Sequence, residues 1–453
     1  MILGAGVCGL YAALTALRNG ASVTIIEKSS QPGGLASGHQ RGKNFFDMGV
    51  HMLHAFDKEI AEDICSIMGD EKIDVPLDAR IRWNGSNYRY PLKGIDMIKG
   101  MNTFHLARCL SGLVIAEIRR KLSPTSDASI ATAEDALIEF YGAPLYEFFF
   151  EQFTHKYWGI HPKQLSAEFI RRKMPRLSAF DFIRKLIRPL IKNRKEEDLV
   201  ERATDEETLH YSRTGAESMP RLLAAEVSKL GAHIIYGADI HSVTGTLCDY
   251  SLNGQNASVT ATHIISTIPI TSLVEYETSA PEGVVEASQK LSFKPIATYG
   301  LLVKKSTCTT GLYTYFRDRI FHRVGEPKNA GLIVQPEDHS VLIVEMTCSI
   351  NDAKWNDAET IREQIQNDLS EEGICEPQEI IEWHHFKNAY GYPIYDLGFE
   401  THLETINKWL NSQPTISSIG RQGGFTYPGM HSAMRMGHDT VKKIITQHAP
   451  INS

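Results

Sequence analysis

The chain has 453 residues, 42% of them hydrophobic, a formal net charge of −7 and seven cysteines. That length exceeds one ordinary core, so two domains or one two-lobed body is expected, and the acidic balance argues against a general nucleic-acid binder, because phosphate binding needs a basic surface. The cysteines are odd in number and scattered without a C-x-x-C pair, which fits a reducing cytosol and excludes a cysteine-rich zinc site, and no run of eighteen apolar residues offers a membrane span.

The first elements read as the opening βαβ unit of a dinucleotide-binding domain. Gly4, Gly6 and Gly9 form G-x-G-x-x-G, followed by a helix over Leu10 to Arg18, an apolar strand from Ser22 to Ile26, and Glu27. Gly4 suits the tight turn, Gly6 lets backbone approach a pyrophosphate, and Gly9 lets helix and strand pack closely. The helix N-terminus presents unpaired N–H groups to phosphate, and Glu27 stands where an acid would take a ribose hydroxyl pair and repel the 2′-phosphate of NADP. These residues leave NAD and FAD both open.

Residues 35 to 60 read as a hairpin or loop crossing this domain, with Asp47-Met48-Gly49-Val50-His51 at its notable end. Asp57 to Met68 has a helical pattern, and Ile81 to Leu92 reads as a hairpin turning at Asn84-Gly85. Residues 93 to 200 look largely helical, with apolar residues at 3–4 spacing in Ala133 to Phe150 and in Glu168 to Lys173. The stretch 180–195 is amphipathic and strongly basic, which suits a solvated helix face, an anionic membrane surface or an anionic ligand. A helix from Ser218 to Leu230, a strand at 233–237, a hairpin turning at Asn253-Gly254 and a strand stopping at Pro269 then resume the nucleotide fold. Residues 290 to 348 alternate as a sheet of the second lobe, Thr360 to Leu369 is a helix, and a glycine and aromatic loop leads to a last helix from about Ser432.

The closing stretch GRQGGFTYPGMHSAM (420–434) resembles the flavoprotein superfamily of amine oxidases, protoporphyrinogen oxidases and UDP-galactopyranose mutases. FTHKYWGIHPKQLSAEFIRRKMPRL (153–177), DMGVHMLH (47–54), AYGYPIYDLGFE (389–400) and HRVGEPKN (322–329) are similar to further segments of that group, and Gly33-Gly34, six residues after Glu27, is a pair common in FAD folds of the glutathione-reductase type. The resemblance implies an α/β fold: an FAD-binding, Rossmann-like domain from residues 1–80, 205–285 and 385–453, with a mixed helical and antiparallel-sheet substrate lobe from 81–204 and 286–384. It implies FAD as cofactor, contacted by Gly4, Gly6, Gly9, Glu27, Gly33, Gly34, Leu35, Gly49, His51, Gly420, Arg421 and Met430, with Ile240 against the adenine. His51, Trp158, Arg172, Tyr392, Arg421 and Tyr427 are the implied catalytic and substrate-binding residues. Thr298 aligns where amine oxidases carry a lysine that holds a water at the flavin.

The expected function is an FAD-dependent oxidoreductase acting on a small anionic substrate. A nucleotide-sugar mutase that uses reduced FAD is the alternative, and a non-catalytic flavin-binding module a third. No metal and no nucleic acid are expected. The expected location is cytoplasmic, with a peripheral membrane contact through 180–195.

Overall fold

The computed structural model describes residues 1–90, 92, 94–122, 130–173 and 208–448, with Arg172, Lys173 and His448 described in backbone only. The basic stretch 180–195 lies outside these residues.

A five-stranded parallel sheet runs in the order His233–Tyr236, Thr24–Glu27, Ile2–Leu3, Ile264–Ser266, Ile416–Ser418. The register Ile25 opposite Ile2 opposite Ile265, with Ile26 opposite Leu3, sends alternate side chains to opposite faces. Ile2, Ile25 and Ile265 pack beneath the helices Val7–Arg18, Ser218–Lys229 and Met430–His448. Leu3, Ile26 and Ile264 pack with Val243 and Cys248 of a three-stranded antiparallel sheet, and with Ile406 and Trp409 of the helix Phe399–Asn411. Both faces of the parallel sheet are therefore covered, as its unbroken apolar strands require. Gly437 lets the last helix close on the first, since a β-carbon there would stand 2.6 Å from the Cys8 carbonyl oxygen.

The second body is built on a seven-stranded, mostly antiparallel sheet in the order Ile380–Pro393, Phe293–Val303, Ser340–Thr347, Arg323–Gly325, Tyr313–Phe316, Ala79–Trp83, Ser86–Tyr90. The 14-residue strand Ile380–Pro393 forms one edge of this sheet, paired with Phe293–Val303 along its length, and carries Tyr392 near its buried end. The helices between 94 and 173 pack on one side of the sheet, and Ala358–Glu371 packs on the other. Both hairpins turn where Asn-Gly predicts: φ is 50° and 75° at Asn84 and Gly85, and 52° and 78° at Asn253 and Gly254, the left-handed pair that matches strand twist. The second hairpin gains a third strand, Ala238–Thr244, which carries Ile240. Among the described residues no helix is long and apolar enough to cross a membrane.

Candidate functional site

A cleft lies at the edge of the parallel sheet, between the N-terminal ends of the first and last helices. Gly6, Gly33, Gly34 and Leu35 line one side, and Gly420, Arg421 and Met430 the other. At Gly4 (φ +100°) a β-carbon would stand 2.6 Å from Thr267 Oγ1, and at Gly9 it would stand 2.2 Å from the Gly4 carbonyl oxygen. These two glycines seal turn and helix against the sheet. At Gly6 the same construction meets no atom within 4 Å, so bare backbone faces the cavity.

Glu27 and Ile240 are not among the residues lining this cleft. The buried Glu27 carboxylate accepts from Ala5 N at 2.6 Å and from Ser29 N at 2.8 Å, which ties the glycine turn to the end of its strand. Each oxygen keeps a further lone pair for a ligand hydroxyl.

His51 forms part of the cleft wall. The residue is partly accessible along that wall, yet its Nδ1 is enclosed and has no hydrogen-bond partner. Burial first, and then the Arg421 charge, push its imidazole down to about 4, so the ring is neutral at pH 7. Its loop is held at Gly49 (φ +103°), where a β-carbon would stand 2.9 Å from Glu345 Oε2, and Val50 N donates to Glu345 Oε1 at 3.2 Å.

Arg421 and two tyrosines meet beside this wall. The Tyr392 and Tyr427 rings stand edge to face with centroids 4.8 Å apart, and the Arg421 guanidinium lies 5.5 Å from one centroid and 4.8 Å from the other. Arg421 also donates to the Pro428 carbonyl at 2.8 Å, leaving further N–H groups of its fork for a ligand. Trp158 is buried behind them, 6.3 Å from Tyr392, and does not line the cleft. The backbone of Arg172 belongs to the helix Ala167–Lys173, and its side chain lies outside the described residues.

Three groups at the site escape the sequence reading. Tyr157 places its hydroxyl 3.4 Å from that of Tyr427. Arg323 makes a two-pronged ion pair with Glu345, at 2.6 Å on each prong, and also donates to Tyr315 Oη at 3.4 Å. Lys156 donates to the carbonyls of Phe316 at 2.9 Å, Arg317 at 3.3 Å and Phe321 at 2.5 Å, fastening the helix of Tyr157 to the loop that leads into Arg323. Thr298, Glu345, Arg323 and Tyr315 stand opposite one another on four adjacent strands, one row across the sheet. The polar alternation of those strands was the available signal, but without register it does not bring the four together.

The bare backbone at Gly6, the glycine-sealed helix entry and the orphaned His51 nitrogen fit FAD. Residues 7–380 match the family described as "Flavin containing amine oxidoreductase". A protein named "Probable UDP-galactopyranose mutase" in Klebsiella pneumoniae is 27% identical over 177 residues, which span 38% of this chain and 44% of that protein. Reduced UDP-galactopyranose mutase shares the fold with a TM-score of 0.82 at 18% identity, covering 99% of this chain and 95% of the other. Wild-type putrescine oxidase bound to putrescine does so with a TM-score of 0.61 at 15% identity, covering 98% of each. The chain belongs to the flavin containing amine oxidoreductase family and is a flavin-dependent enzyme whose cofactor is FAD.

Proposed function

We propose that this enzyme rearranges the sugar of a nucleoside-diphosphate sugar, and that the diphosphate is held by Arg421 with Tyr392 and Tyr427. The observation that carries this reading is the cation already seated between two tyrosines. A pair of aromatic rings beside a flavin is a natural cage for an amine. Here Arg421 lies over both rings, so a second cation would meet like charge, whereas an anion meets a guanidinium fork. Arg323 adds a second positive group nearby, although Glu345 neutralises most of it. The two matched mutases, one related in part of its sequence and one sharing the fold, support the same choice.

FAD supplies hydride acceptance when oxidised and a nucleophilic ring nitrogen when reduced. The chain's own residues do the rest. Arg421 and the tyrosine hydroxyls orient the diphosphate and stabilise its charge as it leaves, and His51, kept neutral, contributes a ring nitrogen without adding charge to the cleft. The body behind Tyr157 and Trp158 excludes water from one side. Gly4, Gly6, Gly9, Glu27, Gly33, Gly34, Leu35, Gly49, Gly420 and Met430 hold the cofactor in this reading, with Ile240 against the adenine.

Oxidation of a small carboxylate-bearing substrate is the second reading, favoured by the family match and by the same cationic site. Redox state separates the two. The mutase is silent with oxidised flavin and active after dithionite reduction, with no net consumption of oxidant; the oxidoreductase needs oxidised flavin and an acceptor. UDP-galactose and a panel of other nucleotide sugars are expected to perturb the reduced flavin spectrum, and Arg421→Ala to weaken that binding by about 1.5–3 kcal/mol, the range for a hydrogen bond to a charged group. If no nucleotide sugar binds the reduced enzyme, the mutase reading fails and the oxidoreductase remains.

A further inference from the structure

We propose that the outer face of the helices Gly94–Gly100 and Thr103–Leu122 docks on an anionic lipid surface. Six of the fourteen exposed large apolar side chains among the described residues, Ile95, Ile98, Phe104, Ile115, Ile118 and Leu122, fall on these two helices. Scattered exposed leucines are ordinary, but such concentration marks a binding face. At about 100° per residue, Phe104, Ile115, Ile118 and Leu122 fall within about 60° of one another on the longer helix. They form a straight line about 27 Å long at 1.5 Å per residue. A straight stripe of that length suits a flat partner better than a pocket.

The opposite side of the same helix is committed to the core. Cys109, Leu113 and Ala116 are buried, and a β-carbon on Gly112 would stand 2.5 Å from Pro144. The outward stripe is therefore surplus to folding. Phe104 is 72% exposed and Leu122 78%.

Charge selects the partner. Residues 94–122 carry five basic side chains against two acids, in a chain whose net charge is −7. Of the two acids, Asp96 is bonded to Arg89 and Glu117 is paired with Arg120 and Lys121, while Arg108 is paired with Glu147 of a neighbouring helix. Arg119 is exposed beside the stripe and has no carboxylate partner among the described residues. Apolar side chains flanked by cations are what a helix lying in the plane of an anionic bilayer presents, with the stripe sunk about 5–10 Å and the cations at the headgroups. A second copy of the chain fits worse, because a two-fold axis through this face would bring a net positive patch onto itself, with Glu147, already paired with Arg108, as the exposed acid beside the stripe.

Co-sedimentation of the FAD-loaded protein with vesicles tests the proposal, using phosphatidylcholine alone and phosphatidylcholine with phosphatidylglycerol, at low and high salt. The expected result is pelleting with the anionic vesicles only, reduced by salt. The triple variant Ile115→Asp, Ile118→Asp, Leu122→Asp is expected to lower the bound fraction roughly tenfold or more, because it removes the inserting side chains and adds three negative charges. Arg119→Glu is expected to weaken binding less and to flatten the salt dependence. Retained flavin absorption and far-ultraviolet circular dichroism show that the variants remain folded. Wild-type protein left in the supernatant overturns the proposal. So does a triple variant that binds as well as wild type, which would place any lipid contact elsewhere, on residues 180–195 for instance. A dimer in light scattering that the triple variant dissociates, without vesicle binding by wild type, assigns the face to self-association and equally overturns it.

Discussion

His51 and Asp47 lie four positions apart and couple to protons with opposite sign. Burial, then Arg421, lowers the His51 imidazole from 6.5 to about 4. Between those values the unfolded chain binds a proton that the folded chain refuses, so this contribution is full above pH 6.5 and is lost as pH falls toward 4. Asp47 is buried, accepts from Tyr211 Oη at 2.5 Å and from Ala216 N at 2.9 Å, and burial raises its carboxyl from 3.8 to about 6. The folded chain then holds the proton that the unfolded chain has released, so its contribution is full below 3.8 and is lost as pH rises through 6. The two slopes oppose each other between pH 4 and 6. Relative to wild type, His51→Gln is expected to make urea stability fall more steeply with pH across this window, and Asp47→Asn to make it rise. Equal shifts in both variants would show that the two groups do not titrate as their burial requires. Both residues fall in a segment legible in sequence, but burial with an orphaned nitrogen is not a property of local sequence. Glu27 shows the same limit: the motif located the acid, while its two backbone hydrogen bonds depend on how the turn closes over it.

Where an element carries its own instruction, the sequence reading and the structure agree. Both Asn-Gly turns, the helix Lys58–Met68 capped by Asp57, and the helix Ser218–Lys229 ending before Gly231 are local events decided by backbone sterics and capping. The row Thr298, Glu345, Arg323, Tyr315 is not local, because it exists only once four strands are in register. Glu345 is the hinge of that row: its carboxylate takes both prongs of Arg323 and the amide of Val50, next to His51. Glu345→Ala is therefore expected to destabilise the fold by about 3–5 kcal/mol, because it leaves a buried guanidinium uncompensated. The double change Glu345→Leu, Arg323→Met should recover most of that loss, since an apolar pair of similar volume escapes the desolvation cost. Denaturant unfolding of the three proteins decides the matter. A double variant as unstable as the single one would mean that the loop at Gly49, not the stranded charge, sets the penalty.

Across the whole molecule the parallel sheet gathers strands that begin at residues 2, 24, 233, 264 and 416. The sequence shows this discontinuity through the return of short apolar strands after a long helical stretch, and through resemblance at both ends of the chain. It does not show that the strand reaching Pro393 stays paired in the seven-stranded sheet to its end, because a strand of alternating polarity carries no label for the sheet it joins. The cleft inherits this construction, since its walls come from residues 6–8, 33–36, 51, 267 and 420–433. FAD held there, as proposed, would bridge chain ends that are joined otherwise through the sheet and the contact of first and last helices. Removing it should loosen these walls while leaving the buried strand Ser340–Thr347 protected. Reloading at a free FAD concentration one hundred times its Kd should return about 2.7 kcal/mol of stability. Hydrogen exchange on the loaded and stripped protein reads both effects at once. Faster exchange confined to 33–36, 49–51 and 420–433 is the expected pattern; an equal rise throughout the seven-stranded sheet would mean that the two bodies unfold as one unit and that the cofactor stabilises the molecule globally.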